Sequence, residues 1–98
     1  MSSRDLARKV SHWTKSYGFV EEVRVGRSTD HYSVEFEART TKTRASTMVT
    51  RLQLMSNALG PGAIASKELI GEPPANRAAL STWRITVSVS IQRRLEAA

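Results

Sequence analysis

The chain has 98 residues and not one cysteine. Disulfides, thiolate metal sites and thiol catalysis are thereby excluded. A small secreted domain usually depends on covalent staples, so a chain without them is expected in the cytoplasm. Long apolar runs are missing too. Nothing approaches the roughly 20 residues that span a bilayer, so no membrane partner is expected. The opening Met1-Ser2-Ser3-Arg4-Asp5 has no continuous apolar stretch, and no signal peptide is expected. Histidine occurs twice, at His12 and His31, and no His, Asp and Glu spacing matches a metal site. No metal and no cofactor is expected. The Walker glycine-lysine pattern is absent, which excludes nucleotide binding in that mode.

Acidic residues are scarce. Nine Asp and Glu face fifteen Lys and Arg, giving a net charge of +6. Such a balance favours anionic partners: nucleic acid, anionic lipid heads or an acidic protein. The length fits a single domain spanning 1–98. At this size folding hides only roughly 60–65% of the unfolded surface.

What is present reads as alternating helices and strands. Leu6, Val10, Trp13 and Tyr17 recur at helical spacing, which predicts an amphipathic helix over 3–17. Ser2 or Ser3 caps it, and Gly18 stops it. A strand over 19–26 follows, with Phe19, Val23 and Val25 on one parity and Val20, Glu22 and Arg24 on the other. The segment 26–30 is turn chemistry and predicts a hairpin. In the second strand, 31–39, Tyr32, Val34, Phe36 and Ala38 alternate with polar residues. A second helix runs from the threonines at 40–43 to about Leu59, with a stripe of Ala45, Met48, Leu52, Met55 and Leu59. Gly60-Pro61-Gly62 ends it. Residues 60–81 read as a long loop with a possible edge strand over 64–70 and one helical turn over 76–80. The last strand, 83–92, alternates Trp83, Ile85, Val87, Val89 and Ile91 with polar residues. Residues 95–98 read as a flexible tail.

The predicted fold is α+β: a two-layer sandwich, two helices on one face of a three- or four-stranded mainly antiparallel sheet. The second helix serves as the crossover to the last strand. The element order is similar to that of KH-like nucleic-acid modules and of the ring-building domains of secretion and sporulation machines. The Gly-x-x-Gly loop of the former is absent. All six aromatics fall on core parities, so the open sheet face has no platform on which bases could stack.

The segment 39–51 holds Arg39, Lys42, Arg44 and Arg51 without an acid, and a helix start offers unpaired amides to anions. The expected function is a small basic nucleic-acid-binding accessory protein, of the kind carried by phages or mobile elements. It would grip the phosphate backbone through Arg39, Lys42, Thr43, Arg44 and Arg51, helped by Arg4, Arg8, Lys9 and Lys15 on the first helix. The rival expectation is a self-associating homo-oligomeric module in a larger assembly, acidic hairpin against basic helix. Enzyme chemistry is not expected. His31, Ser33 and Glu35 share one strand face, where solvated polar positions beside a turn are the simpler reading.

Overall fold

A computed structural model describes residues 3–18, 20–21, 23–27, 30–57 and 62–90. The elements are α1 (Ser3–Thr14), β1 (Arg24–Arg27), β2 (His31–Thr40), α2 (Lys42–Asn57), β3 (Ile64–Ile70) and β4 (Ser81–Ser90). The four strands form one sheet in the order β1-β2-β4-β3, every neighbour antiparallel. Both helices pack on the same face. α1 rests on β1 and β2, while α2 rests mainly on β3 and β4.

The two central strands carry the clearest period-2 alternation, and they carry the core. Val34, Phe36 and Ala38 on β2 and Ile85 and Val87 on β4 are fully buried. Leu6 and Val10 of α1 and Ala45, Met48 and Leu52 of α2 cover them. Each large side chain buried in this way stabilises the fold by about 1.5–3 kcal/mol. The opposite sheet face is held by ion pairs. Arg84 lies 3.4 Å from Glu35 and 3.9 Å from Glu37 and from Glu68, and Arg24 lies 2.9 Å from Glu37.

Four expectations are corrected. The first strand does not run cleanly over 19–26. Val20 bridges to Ala38 whereas Arg24 pairs with Glu35, so four steps on one chain oppose three on the other. The extra residue is a bulge that reverses the parity. Val20, assigned from the sequence to the polar face, therefore joins the core margin. Phe19 lies outside the described residues.

The second correction concerns the helices. α1 ends at Thr14, whose buried hydroxyl donates to the Val10 carbonyl at 2.9 Å. Tyr17 then sits in a turn, its amide bonded to the Thr14 carbonyl. In α2 the buried stripe closes on Ser56 rather than Met55, and the Ser56 hydroxyl donates to Leu52 at 2.7 Å. Leu59 lies outside the described residues.

Third, α2 does not cross to the last strand. It leads to β3, and β4 returns antiparallel to lie between β2 and β3. Two long strands with one apolar face each are best placed side by side at the centre, where both helices cover them. Fourth, the 60–81 region is less of a loop than expected: the edge strand read as possible over 64–70 is formed along its full seven residues. Gly62 and Gly71 bracket it at φ of 87° and 90°, values that only glycine adopts without strain. The segment 76–80 is a turn rather than a helix: the Asn76 side chain accepts from Ala78, and its carbonyl from Ala79.

Candidate nucleic-acid interface

β2 passes into α2 with a single residue, Thr41, between them. Its carbonyl accepts the Ala45 amide at 2.9 Å, and its hydroxyl accepts the Arg44 amide at 3.2 Å. Thr41 is thus the N-cap, satisfying one of the amides a helix start leaves over. The fourth residue of a capping box would be acidic, and here it is Arg44. The Lys42 and Thr43 amides meet no described acceptor. No acidic residue occurs anywhere in the thirty positions between Glu37 and Glu68.

The helix start opens onto a groove of about 480 Å³ lined by Tyr17, Thr43, Arg44, Thr47, Met48 and Arg51. Arg44 and Arg51 are seven apart and Thr43 and Thr47 four apart, so helical periodicity gathers them along one side. The other wall is Tyr17, brought in by the turn that follows α1. A second groove, also about 480 Å³, lies farther along the seam between the helices and is lined by Arg8, Lys9, His12, Trp13 and Met55. The Trp13 and Tyr17 rings meet edge to face with centroids 5.9 Å apart and join the two grooves. The seam exists because each helix rests on its own half of the sheet.

The predicted residues therefore divide. Thr43, Arg44 and Arg51 line the first groove, and Arg8 and Lys9 line the second. Lys42 is exposed at the first position of α2 but lines neither. Lys15 belongs to a different cleft beside Glu21 and Val23. Arg39 is separated from the rest. Its register with Thr82 places it on the open sheet face, in a cleft with Pro73 and Pro74, so it does not share the groove of Arg44 and Arg51. The Arg4 side chain lies outside the described residues.

The aromatic inventory needs correction as well. Tyr32, Phe36 and Trp83 are buried, but Trp13 and Tyr17 are only half-buried. These two line the basic grooves. A helical stripe identified them as apolar, but the degree of their burial depended on where α1 ends and how far α2 stands from it. Thr47, Met48, Met55 and His12 were also missed as lining residues, because only the placement of α1 and α2 side by side on the sheet brings them to the seam.

The face of His31, Ser33 and Glu35 assembles no catalytic set. His31 lies 2.9 Å from Asp30, and Glu35 pairs with Arg24 and Arg84. His31 and Glu35 are about 13 Å apart along the strand. Among the described residues no three His, Asp or Glu cluster in a way that could hold a metal, and no helix is long and apolar enough to cross a membrane. No family model, no curated protein and no solved structure matches the chain.

Proposed function

We propose that the chain binds nucleic acid through its helical layer, holding phosphates at the α2 start. The observation that carries this reading is the first groove. Two arginines, Arg44 and Arg51, share it with the hydroxyls of Thr43 and Thr47 beside an acid-free helix start. Guanidinium groups and hydroxyls are the usual donors to phosphate oxygens, and an acid-free field of one sign draws a polyanion in. The acids of the sheet do not oppose it. Glu35, Glu37 and Glu68 lie on the far face and are partly neutralised by Arg24 and Arg84. A cytoplasmic location suits this reading, since a cysteine-free domain and its nucleic acid would share that compartment.

The rival is a self-associating module. Strand pairing between copies would need an open sheet edge, and both edges carry features that oppose it. The bulge before β1 distorts one, and Lys67 lies on the helical face of the other. We therefore give anion binding precedence.

The test is a salt titration with labelled oligonucleotides. Binding should be tight at low salt and fall steeply as salt rises, because bound phosphates release counterions. The pair Arg44→Gln and Arg51→Gln should weaken binding at least about tenfold, the scale of losing one or two charge-assisted contacts. Arg39→Gln should leave it within about twofold, the scatter of a surface change far from the site. Salt-independent binding, or equal losses from Arg39 and from the Arg44 and Arg51 pair, would falsify the assignment.

A further inference from the structure

The chemistry of the seam bears on which form of nucleic acid would bind there. The inference rests on the proposed function above and adds a substrate class to it. Six aromatics occur in the chain, and five lie among the described residues. Three of the five are buried in the core. The two that are only half-buried, Trp13 and Tyr17, both line the seam between the helices. The titratable groups along its rims, apart from Tyr17 itself, are Arg8, Lys9, His12, Arg44 and Arg51, with no carboxylate among them.

Aromatic faces set among cations are how proteins hold single strands. The cations track the backbone, and unstacked bases lie on the rings. A duplex keeps its bases stacked inside and offers an aromatic ring nothing to stack on. It can touch the rims, but its width keeps it out of a seam between two helices. The open sheet face offers no competing platform, because its middle is the ion-paired array of Arg24, Arg84, Glu35 and Glu37. We propose that a single strand lies along the α1–α2 seam, its bases against Trp13 and Tyr17 and its phosphates on Arg8, Lys9, Arg44 and Arg51.

Tryptophan fluorescence reads this directly. The other tryptophan, Trp83, is buried, and its indole N–H meets no hydrogen-bond acceptor among the described residues. Trp83→Phe therefore loses no such bond and leaves Trp13 as the single reporter. The probes are oligothymidine, a duplex with the same number of phosphates, inorganic polyphosphate and polyglutamate, each at low salt. Oligothymidine should quench Trp13 and bind about tenfold or more tighter than the duplex, the gain expected from a stacked base. Trp13→Leu, which keeps an apolar filler against Phe36, should cost about tenfold for oligothymidine and leave polyphosphate unchanged. If that variant does not fold, Tyr17→Leu and the quench in the parent protein carry the same test. Equal binding of duplex and oligothymidine without quenching overturns the single-strand inference while phosphate binding stands. Polyglutamate that binds as tightly and quenches as strongly overturns it in favour of an acidic protein. Failure of every polyanion to bind overturns the proposed function, and this inference with it.

Discussion

Tyr32 shows how one residue can tie the core to pH. Its ring is buried on the helical face of β2, and its hydroxyl is held above the usual tyrosine value of 10.0, chiefly by burial and secondarily by the carboxylate of Asp5. The neutral form is thus favoured in the folded chain. Below pH 10 both folded and unfolded chains keep the proton, and the full contribution is present. Above it the unfolded chain releases the proton first, so stability falls as pH climbs through the raised folded value. Denaturant midpoints measured from pH 8 to pH 11.5 should drop less steeply in Tyr32→Phe than in the parent. Parallel curves would show that other groups control the alkaline limit. The alternation at 31–39 marked Tyr32 as a core residue. The nearby Asp5 could not be inferred, because twenty-six positions of chain separate it from Tyr32.

At the scale of elements, α2 and β3 are joined by one side chain. The Gln53 amide accepts the Ala65 N–H at 2.7 Å and donates to the Ala63 carbonyl at 2.7 Å and to Asn57 at 2.8 Å. These backbone groups sit at the outer edge of the sheet, where among the described residues no further strand satisfies them. Gln53→Ala should cost about 1–3 kcal/mol, the penalty for leaving a partly buried donor and acceptor without partners. Amide exchange at Ala65 should accelerate by more than exchange at Ile85 in the central strand. An unchanged midpoint would mean that water replaces the glutamine at no cost. In the sequence Gln53 is an ordinary polar residue on the outer side of a helix. Only the placement of β3 under α2 gives it a role, and β3 itself was the least legible element. Its apolar residues do not share one face: Ile64 and Ile70 follow the open face while Ala65 and Leu69 follow the helices. An edge strand has only part of one face to bury, so its pattern is weak.

Across the whole molecule, charge and edges are arranged together. The helical layer is basic along its seam, the opposite sheet face is cross-linked by ion pairs, and Lys67 lies on the helical face of the outermost strand. A charge there obstructs a second copy that would add its strand to β3. Lys67→Val removes the charge and supplies a β-branched residue that favours pairing. The variant should sediment as larger species at concentrations where the parent does not. A variant that behaves as the parent does would shift the protective role to Gln53, which already occupies part of that edge.

The sequence by itself determined the fold class, the central strands and the face each presents, because period-2 alternation over ten residues and a helical stripe leave few other ways to hide so many apolar side chains. It also determined that the chain is basic and where its acid-free segment lies. Tertiary structure decided the rest. The bulge near Val20 depends on register between strands, and the insertion of β4 between β2 and β3 depends on which strands most need burial on one full face. The site depends on both. Arg39 and Arg44 are five positions apart in one basic segment, yet the turn from strand to helix at Thr41 sends them to opposite sides of the sheet. Arg8, Lys9 and Trp13, far away along the chain, reach the same seam as Arg44 and Arg51. Chain proximity set the local charge, but the layering of helices on a sheet selected which cations share a surface.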